Sequence, residues 1–457
     1  MTDELLPRAA ELARRFRAGL ADRPVFPTDA DTGAVRTALG DLPDEPTDPA
    51  ETLERLHAAA EPVLVASAGP RYFGFVTGGS LEAAAAADIL ATGWDQNGFS
   101  ALTSPAAALV EQVAGAWLKD LLGLPETASF GFVTGGQGGN TVCLAAARHA
   151  VLDRAGWDVE RRGLRGAPAV RVLAGSGRHA TIDRALRLLG LGTDAVAEVP
   201  TTPAGSIDVA ALRTALSTTD GPLVVCLQAG EVNTGAFDDF RPAIAAAHAR
   251  GAWVHVDGAF GLWAAAAPAL RHLTDGVSEA DSWATDGHKW LNVPYDSGYA
   301  FCAHPDAHRA ATSYTAAYLV DDEPEPLRNP GDFVPESSRR ARGFATWAAL
   351  HSLGRAGVAR LVERNHALAR RFAERLSAAG AEVVNEVVLN QVLVGFGTDT
   401  ARVLAAAQRS GVCWMGGTTW RGRRLMRISV SNWQTTEADV DASADAVLAA
   451  WRDVQGR

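Results

Sequence analysis

Residues 281–301 read DSWATDGHKWLNVPYDSGYAF. Two runs with strand character, DSWAT (281–285) and GYAFC (298–302), bracket a lysine, Lys289, that stands between His288 and Trp290. Burying an ammonium costs several kcal/mol. A lysine in this setting is therefore either at the surface or does not keep its charge. Working outward, the same kind of run recurs at AVRVLA (169–174), PLVVCLQ (222–228) and AWVHVD (252–257). Ala/Leu-rich helical stretches separate these runs. The alternation predicts an α/β fold, a mostly parallel central sheet with helices on both faces. Ligands of such sheets bind at the carboxyl ends of the strands. The residues just after each run are therefore the ones to read.

Four strand ends carry polar groups. Asp257 ends AWVHVD, and Asp286, His288 and Lys289 follow DSWAT. His179 follows AVRVLAGSGR, and the turn TGGQGGN (134–140) follows SFGFV and leads into the helical TVCLAAAR. Glycines in such a turn let the backbone approach an anion, and the helix N–H groups favour it. Taken singly, each feature has a plain structural reading as a turn, a helix cap, a surface lysine or a hydrogen-bonded histidine. The turn is also not a GxGxxG dinucleotide fingerprint, which argues against a nucleotide-binding dehydrogenase. Taken together, they supply a lysine for a Schiff base, an acid for a ring nitrogen, a phosphate cradle and a flat group to cover a ring. Those are the needs of pyridoxal 5'-phosphate. A lysine bonded as an imine need not persist as a buried ammonium.

The chain resembles the group II pyridoxal-phosphate decarboxylases of amino acids, the aromatic-amino-acid and glutamate decarboxylases among them. HVDGAFG, DGHKWLNVPYDSG, GRHATIDRALRLLG and AGEVNTGAFDDF carry the resemblance, which extends over nearly the whole chain. It implies fold type I, with a seven-stranded type of sheet, and a homodimer. It also implies roles by position. Lys289 forms the Schiff base, His288 touches the phosphate beside Asp286, Asp257 pairs with the ring nitrogen, and Ala259 and His179 lie on the two ring faces. Gly136, Gln137 and Gly138 bind phosphate, and Asn233 and Thr234 lie near the cofactor. Phe75, Val76 and Thr77 line the substrate, and Asn97 and Phe99 are contributed by the other subunit. Two departures stand out. Asp286 replaces the family's asparagine, and the lid-like stretch 320–340 holds no tyrosine, although Phe333 lies in it and Tyr318 just upstream. The expected reaction is decarboxylation of an L-amino acid, aromatic or aliphatic. The alternatives on the same scaffold are a carbon–carbon lyase or aldolase and an oxidative decarboxylase-deaminase.

The bulk properties agree. A chain of 457 residues exceeds one compact core. Residues 1–100 read as an N-terminal helical segment packing on a partner subunit, 101–335 as the large cofactor domain and 336–457 as a small C-terminal α/β domain. Leu5, Ala9, Leu12, Phe16 and Leu20 predict an amphipathic helix over 4–20, and Asp48 or Thr52 is placed to cap the next one. The net charge of −11 argues against nucleic acid or an anionic membrane as partner. Four scattered cysteines give neither a disulfide framework nor a metal site. The N-terminus has no apolar signal core, and the alanine runs near 87 and 267 are too short to cross a bilayer, so a cytoplasmic enzyme is expected.

Overall fold

Seven strands build one sheet: β1 (Ser129–Val133), β2 (Arg171–Gly175), β3 (Val196–Val199), β4 (Leu223–Gln228), β5 (Trp253–Asp257), β6 (Ser282–Asp286) and β7 (Gly298–Cys302). Their order is β1-β7-β6-β5-β4-β2-β3. β2 to β6 pair in parallel, and β7 runs antiparallel to both β6 and β1. The inner strands are buried along their whole length, which is why they read as unbroken apolar runs. Trp253, Trp283, Tyr299, Phe132 and Phe301 are among the large side chains fully buried there.

The computed structural model describes residues 4–27, 32–314 and 328–456. The sheet belongs to a large unit, Ser80–Ala367 with Asn385–Gln391. A second unit combines Met1–Gly79, Leu368–Val384 and Val392–Arg457. Residues 336–367 thus lie with the large sheet, and the first 79 residues with the C-terminal pieces.

Helix α1 (Gly136–Arg154) follows β1 and lies close on the sheet. Its approach depends on Gly139, where a Cβ would come within 3.0 Å of the Ala284 Cβ and 3.1 Å of the Tyr299 carbonyl oxygen. At the carboxyl edge the register places Val133, Gly298 and Asp286 in one row. A Cβ at Gly298 would sit 2.4 Å from the Gly135 Cα, where only backbone is available to yield. Gly298→Ala is therefore expected to cost roughly 1–3 kcal/mol. It should also push the start of α1 away from β6, read as a lower melting temperature together with weaker cofactor binding.

In the second unit, the helix Leu5–Ala18 matches the periodicity seen in the sequence. Asp48 caps Pro49–Ala60, accepting from the backbone N–H of Ala50 and Glu51. Tyr72–Phe73 pairs in parallel with Trp414–Trp420, which pairs antiparallel with Arg423–Ser429. The sequence does not announce Trp414–Trp420, because Gly416 and Gly417 break its apolar pattern. All four cysteines are buried free thiols. Among the described residues, no helix is long and apolar enough to cross a membrane.

Candidate active site

The chain leaves β6 at Asp286 and turns at once. The backbone N–H groups of Gly287 and His288 both donate to the Ser297 carbonyl, and the Trp263 indole N–H donates to the Asp286 carbonyl. This turn aims Lys289 back across the sheet edge. Its Nζ lies 2.9 Å from Asp286 Oδ2, with the two side chains 21% and 2% exposed. The lysine is thus held in a largely buried ion pair, not displayed to water. Asp286 Oδ1 is buried without a hydrogen-bond partner, and His288 Nε2 stands 3.6 Å from it. His288 Nδ1 accepts from the Ser297 backbone N–H at 3.1 Å, which leaves the imidazole proton on Nε2. Burial pulls the His288 pKa below its ordinary value, with Asp286 opposing the shift and Lys289 reinforcing it.

The start of α1 faces this turn. Its first residues have no side-chain cap, so its N–H groups stay available to an anion. A Cβ at Gly135 would lie 2.7 Å from His288 Cε1, and one at Gly136 would lie 3.0 Å from Asp286 Oδ2 and 3.5 Å from the Ala259 Cβ. Glycine therefore keeps a cradle open between the helix start, His288, Asp286 and Ala259. Gln137, the next residue, reaches sideways to Thr141 Oγ1 and the Thr181 carbonyl.

Asp257, at the end of β5, lies two register rows deeper than Asp286 and is 6% exposed. Its Oδ1 accepts from the Ala259 backbone N–H at 3.3 Å and its Oδ2 from Asn140 Nδ2 at 3.1 Å. Ala259 bridges the two acids, since its carbonyl accepts from the Asp286 N–H at 3.0 Å. His179 caps α2 (Ala180–Leu188), its Nδ1 accepting from the Thr181 backbone N–H at 3.3 Å and lying 2.9 Å from Thr181 Oγ1. The set fits a phosphate-bearing aromatic aldehyde. It has an uncapped helix start for the phosphate, an amine for the aldehyde and a buried acid further along the edge. Asp286 adds a negative charge to the cradle, and Lys289 offsets it.

Other expected site residues have different surroundings. Asn233 and Thr234 wrap the buried Glu231, whose carboxylate accepts from both backbone N–H groups at 2.8 Å and from Asn233 Nδ2 at 2.7 Å. Burial raises the Glu231 pKa against those hydrogen bonds. Asn97 Oδ1 accepts from the backbone N–H groups of Phe99 and Arg339, and Phe99 packs on Gly331. Phe75, Val76 and Thr77 belong to the second unit. Phe75 and Val76 both have left-handed backbones (φ 55° and 59°), a strained arrangement for non-glycine residues. Tyr318 and residues 320–327 of the lid-like stretch lie outside the described residues. The sequence motifs did not single out Asn140, Thr181, His255 or Ser282 as partners of Asp257 and His179, although Asn140 ends the glycine turn and His255 opens HVDGAFG.

Residues 36–397 match the family model of the pyridoxal-dependent decarboxylase conserved domain. An aromatic-L-amino-acid decarboxylase of Bacillus atrophaeus is 29% identical over 367 residues, covering 79% of this chain and 74% of the relative. A phenylacetaldehyde synthase of Petunia hybrida is 28% identical over 362 residues, covering 76% and 70%. The crystal structure of Oryza sativa TDC with PLP and tryptamine superposes with a TM-score of 0.90 at 23% identity, covering 99% of both chains. That likeness establishes fold type I. The family match over most of the length identifies the chain as a member of the pyridoxal-dependent decarboxylases, carboxy-lyases whose cofactor is pyridoxal 5'-phosphate.

Proposed function

We propose that this decarboxylase converts an aromatic L-amino acid to its amine, with Lys289 carrying the cofactor. The observation behind the reading is the cradle in which Lys289, Asp286, His288 and the start of α1 meet. Relatives named aromatic-L-amino-acid decarboxylase and tryptophan decarboxylase support an aromatic substrate. Bound pyridoxal phosphate supplies an aldehyde that links to amines and a protonated ring that accepts the electron pair left by departing carbon dioxide.

The chain's own residues do the rest. The N–H groups at Gly136, Gln137 and Gly138, with His288, hold the phosphate. Asp257 keeps a carboxylate against the ring nitrogen and so holds its proton there. His179 and Ala259 cover the ring faces and exclude water. Asp286 keeps the Lys289 amine within the cradle, ready to give way to the substrate amine and to return when product leaves. Asn233 and Thr234, tied to Glu231, close the cofactor's surroundings. The resemblance assigns substrate contact to Phe75, Val76 and Thr77. It assigns a homodimer in which Asn97 and Phe99 reach the other subunit's site and residues 1–100 pack on that subunit.

A screen of the common amino acids, with mass detection of products, tests the reading. An aromatic amine formed mole for mole with carbon dioxide is the expected result. Aldehyde and ammonia formed with oxygen uptake would overturn it in favour of oxidative decarboxylation-deamination. That outcome has a specific motive, since the stretch 320–340 lacks tyrosine and two relatives are named for an aldehyde product.

A further inference from the structure

We propose that Asn140 is a positioning residue that sets both Asp257 and His179, and that His255, Ser282 and Trp253 set Asn140 in turn. The proposal rests on the reading of Asp257 and His179 as the groups that hold and cover the cofactor ring. Asn140 is fully buried on α1, one turn beyond the first glycine of the cradle. Its Nδ2 donates to Asp257 Oδ2 at 3.1 Å and to Thr181 Oγ1 at 3.0 Å. Thr181 Oγ1 is in turn 2.9 Å from His179 Nδ1. On its other side, Asn140 Oδ1 is 3.0 Å from His255 Nε2. His255 Nδ1 is 3.0 Å from Ser282 Oγ, and the Trp253 indole N–H donates to that same oxygen at 3.0 Å.

The two ends of this chain fix the direction of every bond in it. A carboxylate only accepts, so the amide nitrogen must face Asp257 and the amide oxygen must face His255. His255 therefore carries its proton on Nε2, and its Nδ1 accepts from the Ser282 hydroxyl. The indole N–H can only donate, so it occupies the acceptor side of Ser282 and leaves that hydroxyl proton for His255. On the second branch, the Thr181 backbone N–H donates to His179 Nδ1 at 3.3 Å, which makes that nitrogen an acceptor, and Thr181 Oγ1, accepting from Asn140, adds its own proton to it. His179 is thereby held with its proton on Nε2. All the donors point toward Asp257 or His179, and aligned hydrogen bonds polarise one another. Burial lowers the His255 pKa to about 4. The chain thus brings donors to Asp257 without a second cation to compete for its charge. One amide sets the direction of the carboxylate and of the Thr181 hydroxyl that seats the imidazole, whose tautomer the Thr181 backbone N–H fixes.

Asn140→Asp keeps the shape and the oxygen facing His255 but replaces the donor with an acid oxygen. In the cofactor-free protein, the Thr181 hydroxyl should turn to the new carboxylate and leave only the backbone N–H on His179 Nδ1, read by nitrogen-15 NMR as a downfield shift of the Nδ1 resonance. Pyridoxal phosphate should bind about 100-fold more weakly, because like charges now face each other, and its visible absorption should shift once bound. Two variants at His255 separate positioning from packing. His255→Leu should weaken cofactor binding about tenfold, the loss expected for a hydrogen bond to a network ending in a charge. His255→Gln, which restores a donor to Asn140, should recover most of that loss. Thr181→Val should move the His179 Nδ1 resonance in the same way while leaving the Asp257 side intact, and it stands as the test if a His255 variant does not fold. An unchanged His179 Nδ1 resonance and unchanged binding in Asn140→Asp, or equal behaviour of the Leu and Gln variants, would overturn the proposal. If Asp257→Ala also leaves binding and absorption untouched, the ring reading itself fails. If Asp257→Ala changes both while the Asn140 and His255 variants do not, only the positioning role fails.

Discussion

Lys289→Ala is expected to lose at least about 10⁴-fold in kcat/KM, the scale seen when the covalent partner of a catalytic set is removed. After borohydride treatment the native protein should carry the cofactor's mass on the peptide containing Lys289, and the variant should carry none. The structure adds a second consequence. Lys289 is the partner of Asp286, whose side chain is 2% exposed and whose other oxygen already lacks a hydrogen bond. Deleting the amine leaves a buried carboxylate uncompensated, which typically costs about 3–5 kcal/mol. The single variant should therefore melt at a lower temperature than the native enzyme. Adding Asp286→Asn should restore much of the stability and none of the turnover. Retention of a tenth of native activity by Lys289→Ala would remove the lysine from the chemistry.

Asp257→Ala is the second large effect. A preorganised charge facing the site of electron uptake is worth about 10²–10³-fold in rate. The variant should keep part of its cofactor, since the helix start and His288 still hold the phosphate, but lose turnover on that scale. Asp257→Asn should behave like the alanine variant, because the missing quantity is the negative charge and not the hydrogen bond. A native rate in either variant, measured on fully loaded protein, would show that the carboxylate does not face the ring.

The fold and the central site were legible because buried parallel strands leave an unmistakable trace. LVVCLQ and WVHVD are buried on both faces, and the polar residue that ends each run marks the edge where ligands bind. Lys289 stood out for the same reason, as a charge set between two buried strands. What the sequence hid is lateral. Asn140 comes from a helix more than a hundred residues before the two neighbouring strands that carry His255 and Ser282, and only the packing of that helix on the sheet brings them together. Asn233 and Thr234 sit in a motif suggestive of the cofactor, yet the buried Glu231 inside that motif takes up their backbone N–H groups and the Asn233 amide. A carboxylate folded back on its own turn has no periodic signature.

The second unit is assembled from Met1–Gly79, Leu368–Val384 and Val392–Arg457. A ribosome adding about 5–20 residues per second delivers the first of these segments tens of seconds before the last. Through that interval Tyr72–Phe73 has emerged without the Trp414–Trp420 strand it pairs with. The nascent chain thus carries an unmatched strand edge until residues 414–420 have been made, which makes the early segment a natural client for a holding chaperone and a poor candidate for expression as a fragment.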